Sequence, residues 1–296
     1  MPSHQFETLA QMMKAGRSEI VPSIPELRTG FAALTQAVPP PPADIEVTSS
    51  VVGTIPVDRV TAPGANTDRV LLYLHGGGYC IGSRATHRHV AARLSADAGM
   101  VVIVPEYRLA PEHPYPAAAD DALLVYRRLV SGGTPADRIA VVGDSAGGGL
   151  TLALQVALRD AGDAVPAASA LLSAWADLSD LGPVSDEALE IDFLRPETLE
   201  FFAQNYLGDG DRTAVTASPA LADLAELGPM LVQAGECEIL LDTGRRVAAR
   251  AKDAEVDVTL EVEPGMFHAW HLFAGWVPES DEALARVGAF LRDRVS

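Results

Sequence analysis

Five consecutive residues, Gly143-Asp144-Ser145-Ala146-Gly147, have the pattern of a serine nucleophile held on a sharp turn. The apolar run Ile139-Ala140-Val141-Val142 precedes them at strand length, and a mostly apolar segment from Gly148 to Arg159 follows at helix length. Glycine at 143 and 147 removes side chains where strand and helix meet closely. It also lets the serine take a strained backbone that projects its hydroxyl out of the sheet. A hydroxyl so placed suits acyl transfer once a base accepts its proton. Composition alone produces about 0.1 chance matches to such a pattern in a chain this rich in glycine, so the flanking elements carry as much weight as the motif.

A second segment suits the same chemistry. His75-Gly76-Gly77-Gly78 comes directly off the apolar run Val70-Leu71-Leu72-Tyr73-Leu74. Successive glycines leave backbone N–H groups open to the oxyanion of a tetrahedral intermediate, each preorganised donor contributing about 3 kcal/mol. Gly76, Gly77 and Ala146, the residue after the nucleophile, are the expected donors.

These loops need a rigid frame. After residue 67 strand-like apolar runs alternate with helix-length segments: runs at 70–74, 101–104, 139–142, 168–172, 230–233 and 258–262, with helices expected over 86–99, 116–130, 148–159, 239–253 and 281–294. Continuous apolar runs separated by helices predict a mostly parallel central sheet covered on both faces, an α/β architecture. The last run differs. Val258, Leu260 and Val262 alternate with Thr259, Glu261 and Glu263, which predicts a half-exposed edge strand. Residues 1 to about 45, ending in Pro39-Pro40-Pro41-Pro42, and 178 to about 218, with Phe193, Leu194, Leu199, Phe201, Phe202 and Tyr206, fall outside this rhythm. Both read as cap regions over the C-terminal ends of the strands, although packing into a helical core accounts for those aromatics almost equally.

Composition excludes several classes of function. The chain has 296 residues, 48% hydrophobic and 21% charged, enough for a large core. Its formal net charge of −18 opposes binding to nucleic-acid phosphates and to anionic membranes. Cys80 and Cys237 lie far apart without metal-ligand spacing, which predicts neither a disulfide framework nor a metal site and fits a reducing cytoplasm. The first residues lack a basic stretch followed by an apolar one, and no apolar run reaches the ~18 residues of a membrane span. A cytoplasmic protein is expected.

Taken together, His75-Gly76-Gly77-Gly78-Tyr79 and Gly143-Asp144-Ser145-Ala146-Gly147-Gly148 resemble the hormone-sensitive lipase group of α/β-hydrolases. So do Tyr107-Arg108-Leu109-Ala110-Pro111-Glu112-His113, Pro116-Ala117-Ala118-Ala119-Asp120-Asp121, Ser218-Pro219 and Gly265-Met266-Phe267-His268. The resemblance implies the α/β-hydrolase fold across 1–296, with the two cap regions above. His268, in a loop opened by Pro264-Gly265 after the edge strand, is the expected base. His271 is its nearest rival; His87 and His89 lack the further ligands of a metal site, and His75 reads as an anchor of the oxyanion loop. The family's acid is an aspartate before proline. Alignment of Gly235-Glu236-Cys237-Glu238-Ile239-Leu240-Leu241-Asp242 puts Glu238 at that position with Ile239 in place of proline, and leaves Asp242 and Glu236 as alternatives. Chain order is then Ser145, Glu238, His268, as this fold requires. Trp175, Trp270 and Phe273 are either pocket or core residues.

The resemblance implies hydrolysis of short- to medium-chain acyl esters through an acyl-enzyme, with no metal or organic cofactor. A lactone hydrolase or deacetylase would use the same residues. A non-catalytic small-molecule receptor on this fold would not need to keep His268, and an aspartate-nucleophile hydrolase would not carry serine at 145. A homodimer through the edge strand 258–262 is a further expectation.

Overall fold

The strands that position these residues form one eight-stranded sheet in a computed structural model that describes residues 2–17 and 20–296. Residues 1, 18 and 19 of the N-terminal stretch lie outside the described residues. The strands are β1 (Glu46–Val52), β2 (Ile55–Thr61), β3 (Asn66–Leu74), β4 (Met100–Pro105), β5 (Ile139–Asp144), β6 (Ala168–Leu172), β7 (Met230–Gly235) and β8 (Val258–Glu263). Their spatial order is β1-β2-β4-β3-β5-β6-β7-β8. β2 runs antiparallel to β1 and β4, and every other neighbouring pair is parallel.

Helices α1 (His4–Ala15) and α2 (Ile24–Gln36) precede the sheet. The helices that follow are α3 (Arg88–Ala98), α4 (Ala117–Ser131), α5 (Ala146–Asp160), α6 (Asp186–Ile191), α7 (Pro196–Leu207), α8 (Leu241–Asp253) and α9 (Pro278–Arg292). Side chains alternate across a strand, so both faces of the sheet require cover. Leu71 and Tyr73 of β3 join Val90 and Leu94 of α3 and Leu284 and Val287 of α9 in one core. Leu72 and Leu74 point the other way, into a second core with Val125 of α4 and Leu150 and Leu154 of α5. Burial on both faces is the physical reason these strands read as unbroken apolar runs.

The central strands have the predicted positions, and two differences stand out. The hairpin β1–β2 lies before the expected first strand; β1 is mostly exposed, so it has no apolar run to announce it. β8 is an edge strand as expected, but its alternation does not separate a buried face from a wet one. Leu260 is 38% exposed, whereas Glu261 is half-buried beneath Gln233 and Arg286. Ion pairing by Arg286 lets the acidic side chains fold inward over the sheet.

Chain order reverses around β3, with β4 on one side and β5 on the other. Loops leaving β3 and β5 therefore open a crevice at the C-terminal edge, where α/β sheets bind ligands. Cys80 and Cys237 are both buried free thiols. Among the described residues no helix is long and apolar enough to cross a membrane.

Candidate active site

Ser145 stands between β5 and α5 with φ 53° and ψ −121°, a conformation costing about 1–3 kcal/mol for a residue with a side chain. Its surroundings impose it. The Ser145 N–H donates to the Leu172 carbonyl at 2.8 Å, and its carbonyl accepts from Trp175 N–H at 2.8 Å. The flanking glycines are obligatory: a Cβ on Gly143 would lie 2.1 Å from the Gly147 carbonyl oxygen, and one on Gly147 would lie 1.9 Å from that of Leu74. Helix and strand can approach this closely only without those side chains.

The loop after β3 is anchored to the elbow by Asp144. One Asp144 oxygen accepts from Tyr73 Oη at 2.7 Å and from Gly76 N–H at 3.0 Å; the other lies 3.6 Å from His87 Nε2. Burial works to raise the Asp144 carboxyl, but His87 and then the Tyr73 hydroxyl outweigh it and hold it at about 2. The buried carboxylate is therefore a structural anion. The Gly76 N–H donates to Asp144, whereas Gly77 and Gly78 line the cavity. No hydrogen bond leaves the N–H of either residue among the described residues. Both have positive φ, 117° and 58°. The Ala146 N–H, at the first position of α5, has no partner within its helix.

His268 lies in the loop after β8, 3% exposed, with Nε2 2.9 Å from Ser145 Oγ. Burial lowers its pKa to about 4, with Asp144 opposing, so the resting imidazole is neutral. Its Nδ1 is buried without a partner. Glu238 occupies the turn between β7 and α8, 2% exposed. Its Oε2 accepts from Ser173 Oγ at 2.5 Å and from Gly235 N–H at 3.1 Å, while Oε1 is buried and unpartnered. Burial raises this carboxyl to about 8 against those hydrogen bonds. The alternatives are engaged elsewhere: Asp242 pairs with Arg246 at 2.8 Å, and Glu236 accepts Gly265 N–H at 3.0 Å.

Two further residues join these loops, and the sequence reading did not single them out. Ser173, at the end of β6 with φ 47°, donates to Glu238 and accepts Ala269 N–H at 3.0 Å, so it links the acid to the residue after His268. Asp192, fully buried after α6, accepts Ile239 N–H at 2.9 Å and Leu194 N–H at 3.1 Å and faces the His268 N–H. Burial raises it to about 7. Nothing local in the sequence marks either residue, because both act on segments distant in the chain.

The remaining candidates have other places. His75 bonds the Gly76 carbonyl at 2.8 Å and stacks on Tyr107 at 4.2 Å; its pKa falls to about 3 through burial and the neighbouring His87. His89 bonds the Leu272 carbonyl, and His271 sits in a 3-10 turn against Gln233. Trp175, Trp270 and Phe273 are core residues. The cavity above Ser145, about 80 Å³, is lined instead by Phe31 of α2, by Phe193 and Leu194, and by Leu199 and Phe202 of α7. Among the described residues no group of three or more His, Cys, Asp or Glu is placed to hold a metal ion.

The sequence pattern of the alpha/beta hydrolase fold matches residues 71–272. An acetyl-hydrolase of Streptomyces hygroscopicus is 44% identical over 232 residues, 78% of this chain and 77% of that protein. An ethyl acetate hydrolase of Pseudomonas putida is 36% identical over 255 residues, 83% of this chain and 80% of that protein. Among solved structures, an esterase from the bacterial hormone-sensitive lipase family has a TM-score of 0.95 at 39% identity, with 100% of both chains covered.

Proposed function

On the premise that this chain belongs to the hormone-sensitive lipase group of α/β-hydrolases and is a carboxylesterase-type hydrolase, we propose that it cleaves short- to medium-chain acyl esters through a covalent intermediate on Ser145. The observation that carries this reading is the 2.9 Å contact between Ser145 Oγ and His268 Nε2 at the base of an apolar cavity. His268 accepts the hydroxyl proton as Oγ attacks the ester carbonyl. Negative charge develops on the carbonyl oxygen, where the N–H groups of Gly77, Gly78 and Ala146 receive it. The alcohol departs with the proton from His268, water enters, and the same base activates it to release the acid.

Glu238 is the acid of this triad. Its free Oε1 and the free Nδ1 of His268 are a complementary acceptor and donor, and pairing them sets the tautomer that leaves Nε2 able to accept. Glutamate is adequate because the role requires only a carboxylate at the ring N–H.

The N-terminal helices and the segment α6–α7 act as a cap, since Phe31, Phe193, Leu199 and Phe202 close the space over Ser145. A cavity of about 80 Å³ has room for roughly two or three waters at ~30 Å³ each, which favours small acyl groups. The names of the Streptomyces and Pseudomonas relatives point the same way. A homodimer through the outer edge of β8 is consistent with the exposed Leu260. The test is a panel of p-nitrophenyl esters from acetate to decanoate. Turnover is expected to be highest for the short members and abolished by Ser145→Ala; retained activity in that variant removes the mechanism.

A further inference from the structure

Phe193 lines two spaces. On one side is the Ser145 cavity; on the other is a larger one of about 410 Å³ between α1 and α2, walled by Leu9, Met12, Met13, Leu34 and Trp276. The ring stands edge-on to Phe267 at 5.6 Å and tilted over the His268 ring at 6.1 Å. Its backbone is pinned on both sides, because the buried Asp192 carboxylate accepts the Leu194 N–H across it. The half-buried ring can therefore move by side-chain rotation without disturbing the chain.

We infer that Phe193 is a movable partition, and that the cavity behind it receives the distal hydrocarbon of the longer ester substrates. This rests on Ser145 being the nucleophile. Among the described residues, two volumes share a wall with the space beside Ser145 and lie open to an ester chain that exceeds it. The one behind Leu199 is small, about 80 Å³, and is lined by Asp180, Glu200 and Arg212, so it disfavours hydrocarbon. The one behind Phe193 is about five times larger and lined by thioethers, leucines and an indole. Its one charged lining residue among those described, Arg17, donates to the Asp192 carbonyl. Methionines adapt to chains of differing length. The partition makes the enzyme selective for short chains when the ring is in place and tolerant of longer ones when it turns aside.

The test compares two series of esters, p-nitrophenyl acetate to decanoate and ethyl to octyl acetate, to distinguish an acyl chain from an alcohol chain behind the partition. Phe193→Ala is expected to raise the kcat/KM ratio of the longest to the shortest member at least tenfold in one series. Gly30→Phe provides an independent variant. Gly30 is exposed on α2, lines the larger cavity and has open space where a Cβ would lie, so a ring there fills the cavity away from Ser145. It is expected to lower the same ratio at least fivefold. Ratios within twofold of the parent in both series, in variants with unchanged circular dichroism and melting temperature, overturn the inference. If Phe193→Ala does not fold, the Gly30→Phe result decides alone. Ester turnover that survives Ser145→Ala places the chemistry elsewhere, and that separate result overturns the nucleophile assignment and the partition with it.

Discussion

Ser173 Oγ donates to Glu238 Oε2 at 2.5 Å while accepting the Ala269 N–H, so one hydroxyl ties the acid turn after β7 to the base loop after β8. The Glu238 carboxylate is thereby held through one oxygen, and the other is buried without a partner. Asp242, four residues on, is occupied by Arg246. Glu238→Gln is expected to lower kcat by ~10²–10⁴, since an amide can present N–H to Nδ1 and favour the wrong tautomer. Asp242→Asn should change kcat by less than about threefold, because its partner is a half-exposed arginine. Steady-state kinetics on p-nitrophenyl butyrate decide, and the reverse ranking reassigns the acid.

The pH profile follows from the same pair. Burial raises Glu238 to about 8 and lowers His268 to about 4. With one proton between them the pair is neutral; the active form, with carboxylate and neutral imidazole, has lost it and carries −1. Burial penalises net charge, so that proton leaves at a higher pH than from a solvent-exposed histidine. The acid limb of kcat/KM is expected between roughly 6.5 and 8, the lower bound being the ordinary histidine value. In Glu238→Gln the imidazole titrates alone, the cation is the penalised form, and the limb moves down toward about 4 while the plateau falls. A limb that does not move in this variant counts against the pairing.

Asp192 joins the segment after α6 to the turn before α8. Asp192→Ala strands the buried N–H groups of Ile239 and Leu194, at about 1–3 kcal/mol each, and should lower the melting temperature. It should also lower kcat by ~10-fold or more with little change in KM, through misplacement of the acid and base. Asp192→Asn, which keeps one acceptor, should recover part of both. The sign of the pH effect is fixed as well. With this carboxyl at about 7 in the fold against an ordinary 3.8, the folded protein keeps a proton that the unfolded chain has released. Stability from this group therefore falls as pH rises across that window and is level above it. Denaturant titrations at several pH values should show that slope in the parent and its loss in Asp192→Asn.

Association through β8 gives the fourth expectation. The outer edge of this strand pairs with no strand among the described residues, and Leu260 is exposed there. Sedimentation velocity at micromolar concentration should show a dimer, and Leu260→Lys should shift it to monomer. A monomer at all concentrations removes the proposal.

Much of the frame was legible from residue order alone. The runs at 70–74, 139–142 and 230–233 are apolar at every or nearly every position because helices cover both faces of those strands. The β1–β2 hairpin was not legible: β1 is mostly exposed and needs no such run, and Pro56, Asp58 and Arg59 interrupt the run in the largely buried β2. Leu260 and Glu261 reversed their expected exposure because Arg286, from α9, neutralises the carboxylate as it turns inward.

At the site the division follows the range of each interaction. The elbow at Ser145 and the loop holding His268 are local requirements: a turn this tight needs its glycines, and a loop after the last strand can place an imidazole over the neighbouring strand ends. Sequence by itself therefore determined the strand-turn-helix at Ser145, the loop that carries His268 and the mostly parallel sheet beneath them. Which glycine N–H groups stay free is a different kind of fact. It depends on Asp144, far along the chain, capturing the Gly76 N–H and leaving Gly77 and Gly78 open. Ser173, Asp192 and Phe193 likewise take their places from neighbours on other elements. Tertiary structure alone decided these, because a hydrogen bond or a cavity wall joins groups through space, and no spacing along the chain records that distance.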